Sequence, residues 1–204
     1  MKARGKLITL EGVDGAGKST HLEYIADALR AQGRHVIVTR EPGGTELAER
    51  LRAAILAQAM DPGVETLLLF AARADHVARV IGPALQAGSW VVCDRFSDAT
   101  EAYQGAGKGV SLELIERLRG LAHPGLQPDR TLVFDCGYDV ARRRLTASGK
   151  PLDRFEREDR AFFERVRAAY LARAKAEPGR MRVIDAGADP GAIREAITQH
   201  LSGL

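Results

Sequence analysis

The chain has 204 residues, 45% of them hydrophobic and 28% charged, enough apolar material for one compact core and too little bias for a disordered or fibrous chain. Its formal net charge is only +3, spread as mixed Arg/Asp/Glu helix faces, which argues against a nucleic-acid-binding tail. Three basic residues lie between Met1 and Lys6, but no apolar signal region follows and no stretch approaches membrane-spanning length, so the expected location is the cytoplasm, with no membrane and no nucleic-acid partner.

Lys6–Glu11 is a short apolar run that ends in glycines and reads as a buried strand. Leu22, Ile25, Ala26 and Leu29 then recur at helical spacing until Gly33 stops the pattern. His35–Thr39 is a second strand, followed by the turn-rich Glu41-Pro42-Gly43-Gly44. Helices are expected over Thr45 to about Ala57 and over Val64 to Val80, with Gly82-Pro83 as a break or kink. Trp90–Asp94, Arg130–Asp135 and Met181–Asp185 are strands three to five. Helices fall at Leu112–Leu121, Val140–Ala147 and Asp159–Glu177, and a last one follows Pro190. Continuous apolar strands alternating with helices predict a parallel five-stranded sheet covered on both faces. Ligands then gather at the carboxyl ends of the strands. Ser148-Gly149-Lys150-Pro151 is the best candidate hinge for a mobile lid, placed at about residues 147–158 of a single domain spanning 1–204. Cys93 and Cys136 sit in apolar runs and read as buried thiols.

Gly12-Val13-Asp14-Gly15-Ala16-Gly17-Lys18-Ser19 fits the G-x-x-x-x-G-K-[ST] pattern, placed between a strand and a helix as that motif requires. Glycines let backbone N–H groups turn toward phosphates, and the helix N-terminus adds partial positive charge. Lys18 is expected to reach the β- and γ-phosphates and Ser19 to help hold Mg²⁺, with ATP contacts running from Gly12 to Thr20. No Asn-Lys-x-Asp motif is present, which argues against a regulatory GTPase. A small kinase needs a second phosphate pocket facing the first, and Arg40 and Arg95, each just after a strand, are its candidates. Asp94 either binds Mg²⁺, orders the arginine, or caps a turn. Asp14 puts negative charge beside phosphates, so it should serve a sugar hydroxyl or a neighbouring cation.

Four segments together resemble the thymidylate kinase family over nearly the whole chain. They are Glu11–Ser19, Thr39-Arg40-Glu41-Pro42-Gly43-Gly44-Thr45, Asp94-Arg95-Phe96, and Ala102-Tyr103-Gln104-Gly105-Ala106-Gly107-Lys108-Gly109. The resemblance implies a P-loop NTPase three-layer α/β sandwich with a short lid, acting as a homodimer with Mg²⁺ on ATP and dTMP. It implies that Arg95 bridges donor and acceptor phosphates, that Asp94 supports the metal, and that Arg40 binds the acceptor phosphate. By the same resemblance Asp14 lies near the sugar 3′-hydroxyl and the bridging arginine. The thymine pocket would lie on the long third helix and the loop after Phe96, with Phe70 stacking on thymine and Arg73 binding its O4. Phe70 and Arg73 are three apart where many relatives show four, a spacing that puts Leu69 at the ring position. Thr100, Tyr103 and Gln104 match positions lining base and sugar, Tyr103 also crowding a ribose 2′ position. The lid resembles the bacterial form, Leu152-Asp153-Arg154-Phe155-Glu156. There a lid cation completes catalysis; Arg154 is favoured over Lys150, with Arg142, Arg143 and Arg144 as further candidates. A deoxynucleoside kinase using Glu11 or Glu41 as base, or an ATPase switch, are the rival readings.

Overall fold

The computed structural model describes residues 3–204. Five strands, β1 (Leu7–Gly12), β2 (Val36–Arg40), β3 (Trp90–Asp94), β4 (Arg130–Asp135) and β5 (Met181–Asp185), form one sheet in the order β2-β3-β1-β4-β5. Every pairing is parallel. The helices are α1 (Lys18–Ala31), α2 (Glu46–Ala57), α3 (Pro62–His76), α4 (Gly82–Gln86), α5 (Ser97–Thr100), α6 (Leu112–Ala122), α7 (Tyr138–Ala147), α8 (Arg160–Ala176) and α9 (Pro190–Leu201).

Strand pleating divides the core between two faces. Ile8, Leu10 and Val92 pack with Ile25, Ala26 and Leu29 of α1. Leu7, Val91 and Cys93 face the other way, onto Ile81, Ala84 and Leu85 and onto Phe96. With α9 beside α1 and α8 running under β1, β4 and β5, the sheet is enclosed on both sides, as its unbroken apolar strands require. No helix among the described residues is long and apolar enough to cross a membrane.

Helix starts follow local chemistry. The side chains of Thr45, Asp61, Ser111, Asp159 and Asp189 each accept a hydrogen bond from a first-turn N–H. Two stretches depart from expectation. Between α3 and α4 the chain widens into a π-turn at Val77–Ile81, so Gly82-Pro83 does not break the helical path. Pro83 falls in the first turn of α4, where its missing N–H costs little. The loop expected after Phe96 is helical: α5 runs into a second π segment at Glu101–Gly107. That segment projects Tyr103 and Gln104 toward the carboxyl edge of the sheet.

His123 supports this region from below. Its Nδ1–H donates to the Leu126 carbonyl at 3.0 Å, leaving Nε2 to accept the Ser97 hydroxyl at 2.6 Å, and its ring tilts against Phe96. Burial, with Arg73 second, pushes its pKa down to about 4. An unfolded chain titrates this group near 6.5. It therefore binds more protons than the fold between those values, and stability is lost as pH falls through that window. Urea unfolding at pH 5 should give a stability about 2 kcal/mol below that at pH 7 from this group alone. His123→Gln should flatten that difference, and an unchanged slope would remove His123 as its source.

Candidate active site

The phosphate loop links β1 to α1. Gly15 has φ 79°, and a Cβ there would sit 2.5 Å from the Ala141 carbonyl oxygen, so α7 packs against the loop only because the residue is glycine. Lys18 opens α1 and folds back, its Nζ donating to the carbonyls of Gly12 (3.1 Å) and Val13 (3.0 Å). Burial and nearby Arg95 lower its pKa, opposed by Asp94, Asp14 and Glu11. Ser19 and Thr20 are exposed beyond it.

Arg95 follows β3 with φ 69°, a left-handed conformation that costs a non-glycine residue energy. The turn is held by its N–H on the Leu10 carbonyl (2.9 Å) and by the Phe96 N–H on Glu11 Oε1 (2.7 Å). Its guanidinium is shared among the Gly12 carbonyl (3.0 Å), Asp14 Oδ1 (2.5 Å), and the hydroxyls of Tyr103 (3.0 Å) and Tyr170 (3.3 Å). Tyr103 also donates to Asp14 Oδ2 at 2.8 Å. Burial pushes the Asp14 carboxyl up, but Arg95 and Lys18 outweigh it and hold it below its ordinary value. Asp14 is therefore an anion that aims Arg95.

Arg73 forms the opposite wall. Its Nε donates to Glu41 Oε2 (2.6 Å), Nη1 to Thr100 Oγ1 (3.1 Å) and Nη2 to the Phe96 carbonyl (3.1 Å). Glu41 takes His76 Nδ1 on its other oxygen at 3.0 Å, and His76 Nε2 meets the Thr39 hydroxyl at 2.8 Å. Gly44 leaves room for that imidazole: a Cβ there would lie 2.4 Å from His76 Nε2. Between Arg73 and Arg95 lies an open cavity with ≈ 610 Å³ of empty space, solvent mouth included. Six expected residues line it: Asp14, Arg73, Arg95, Thr100, Tyr103 and Gln104.

Arg40, Phe70 and Arg154 do not. Arg40 turns outward, its Nη2 donating to both oxygens of Glu49 at 2.9 Å, with about half its side chain (54%) exposed. The end of the edge strand β2 gives it no wall to lean on, so the nearer helix carboxylate captures it. Arg52, from the inner face of α2, lines the cavity instead and donates to the Pro42 carbonyl at 3.1 Å. Sequence reading missed Arg52, although Glu49, Arg52 and Leu56 share one helical face. Phe70 is 3% exposed and packs inward under the Arg73 guanidinium, 4.8 Å from its ring centre. Neighbouring helix positions diverge by about 100°, so Leu69 occupies the cavity wall that Phe70 leaves.

Arg154 is the third. Its Nε donates to the Ile55 carbonyl at 2.6 Å and its Nη2 pairs with Glu65, while Asp153 and Phe155 face the cavity. The Glu65 carboxylate is fully buried and requires such a counter-charge. Arg144, another of the cationic candidates, lies against the phosphate loop, with Nη1 3.4 Å from the Ala16 carbonyl and Nη2 2.8 Å from that of Ala186. Glu11 and Glu41 have both oxygens taken, Glu11 by Phe96 N–H and the Tyr170 hydroxyl (2.7 Å). Burial raises Glu11 to about 8. Neither is placed as a free base. Asp94 Oδ1 differs: it is buried with no hydrogen-bond partner among the described residues, beside Lys18.

This arrangement can hold one polyphosphate on the loop and a second anion between Arg52, Arg73 and Arg95. A family model described as Thymidylate kinase matches residues 10–197. The chain is 55% identical over 204 residues to a thymidylate kinase of Bordetella petrii, covering 100% of this chain and 98% of the relative. It is 52% identical to that of Bordetella pertussis with the same coverage. The crystal structure of thymidylate kinase from Ehrlichia chaffeensis superposes with a TM-score of 0.78 at 34% identity, covering 96% of this chain and 98% of that one. By sequence and by fold, the chain belongs to the thymidylate kinase family.

Proposed function

We propose that this chain transfers the γ-phosphate of ATP to dTMP, giving ADP and dTDP on the way to dTTP. The observation that carries the reading is the position of Arg95. Its guanidinium touches the phosphate loop at Gly12 and borders the acceptor cavity through Tyr103 and Asp14. A cation there offsets the repulsion between two approaching phosphates and stabilises charge developing on the transferred group.

The acceptor phosphate oxygen is already a nucleophile, so the protein supplies alignment rather than a base. Lys18 exchanges its loop carbonyls for the β- and γ-phosphate oxygens. Arg52 and Arg95 receive the acceptor phosphate, while Arg40 pairs with Glu49 beside them. Thymine lies against Leu69, with Arg73, Thr100 and Gln104 around its polar edge, and Tyr103 crowds the 2′ side of the sugar. The unpartnered oxygen of Asp94 and the exposed Ser19 hydroxyl suit a hard cation with oxygen ligands. Mg²⁺ held there supplies charge neutralisation on the donor phosphates.

The segment around residues 147–158 acts as a lid of a single domain, closing Asp153 and Phe155 over the cavity to exclude water. Exposed Leu47, Val64 and Leu67 on α2 and α3 fit a homodimer contact. The enzyme works in the cytoplasm. ADP formation should require an acceptor and favour dTMP over AMP, dGMP and dCMP. Equal rates across these would favour a kinase for another nucleotide, and ADP release with none present would favour an ATPase switch.

A further inference from the structure

Glu65, in the first turn of α3, is 0% exposed and gathers donors from two other parts of the site. Lys108 Nζ reaches both its oxygens at 2.9 Å, Gln104 Nε2 reaches Oε1 at 2.7 Å, and Arg154 reaches Oε2. Lys108 and Gln104 come from the π segment and its end, Arg154 from the lid. Both cations also lie 4.5 Å from the centre of the Phe155 ring, which meets Tyr103 edge-on at 6.1 Å and walls the cavity.

We infer that Glu65 is a positioning residue for phosphoryl transfer, fixing both the lid and the side-chain amide of Gln104 over the acceptor base. This rests on the kinase reading above. An ionised carboxylate only accepts hydrogen bonds, so it must receive the NH₂ end of Gln104 and leave the carbonyl end for the cavity. A carbonyl there suits a base with an imide N–H, as thymine has, and opposes cytosine, whose ring nitrogen at that position is an acceptor. The same carboxylate draws Arg154 and Lys108 together and thereby seats Phe155. In this geometry Arg154 closes the lid and does not touch the transferred phosphate.

Steady-state kinetics with dTMP and dCMP, and the ratio of ADP to dTDP formed, test this on wild type, Glu65→Gln and Arg154→Met. Wild-type production of dTDP, checked first, establishes the kinase reading independently. Glu65→Gln frees the Gln104 amide to rotate and weakens the lid contact. It should raise KM for dTMP at least about tenfold and narrow the preference over dCMP by about as much. Arg154→Met leaves Glu65 with Lys108 and Gln104, so it should raise KM for dTMP and the ADP:dTDP ratio while keeping the base preference. Should Glu65→Gln fail to fold, Arg154→Met still decides the lid half. A fall in its kcat at unchanged KM and unchanged ADP:dTDP ratio would return Arg154 to the transferring phosphate and overturn the assignment. Folded Glu65→Gln with wild-type KM and base preference would overturn it as well.

Discussion

Arg95→Ala is expected to lower kcat for dTDP formation by at least a factor of about 100, with a smaller change in KM for ATP. The guanidinium is the one group that meets the phosphate loop, the anion Asp14 and two tyrosine hydroxyls at once. Losing a preorganised transition-state contact of this kind costs roughly 3–4 kcal/mol. The substitution also removes the largest attraction holding Asp14 ionised, leaving a part-buried carboxyl beside two phosphates. Arg95→Lys should recover little. A lysine carries one charge centre and cannot divide planar donors among four acceptors. Its ammonium would also have to do so from a left-handed backbone position. Rapid-quench measurement of the first turnover separates the chemical step from product release. A first-turnover rate near that of wild type would remove Arg95 from the transferring phosphate.

Lys18→Ala is expected to be about as severe, with kcat/KM for ATP falling by roughly 100-fold or more. Here the loss is on the donor side. The side chain is already folded along the loop, 3.0–3.1 Å from two of its carbonyl oxygens, so a phosphate replaces those bonds without a rotamer search. An alanine leaves the Gly12 and Val13 carbonyls without that donor in a site only 7% exposed at position 18, where unpaired groups are costly. Binding of dTMP alone, read by calorimetry, should stay near wild type because Arg73, Thr100 and Gln104 are untouched. Comparable losses in dTMP binding would mean that the loop, and not a single contact, had collapsed.

The strands were legible almost to the residue. Lys6–Glu11 is Leu7–Gly12 in the fold, and the third, fourth and fifth strands match their apolar runs. Buried parallel strands cannot hide their composition, since both faces need apolar side chains. The phosphate loop was equally legible because its chemistry is local. The strand order was not, since it depends on pairings between distant segments. The π segment that carries Tyr103 and Gln104 was read as loop, because Gly105 and Gly107 disguise its helical character.

The candidate site divides along the same line. Residues fixed by short-range geometry, such as Asp14, Lys18 and Arg95, stand where spacing put them. Arg40 turns to Glu49 in the structure, a pairing that nothing in Thr39-Arg40-Glu41 reveals. Phe70 packs inward while Leu69 faces the cavity, because adjacent helix positions point about 100° apart and spacings of three and four to Arg73 both fit one helix face. The pairing of Arg154 with Glu65 was not legible, because Glu65 lies 89 positions earlier in the chain. A buried carboxylate that needs two cations is visible only after folding.

In the proposed reaction one nucleotide hands its terminal phosphate directly to another across Arg95. Incubating the enzyme with Mg²⁺, dTMP and ATP labelled at the γ-phosphorus follows that atom itself. The label is expected in the β-phosphate of dTDP, with almost none as free phosphate. Label found mainly as inorganic phosphate, with dTMP unchanged, would contradict it.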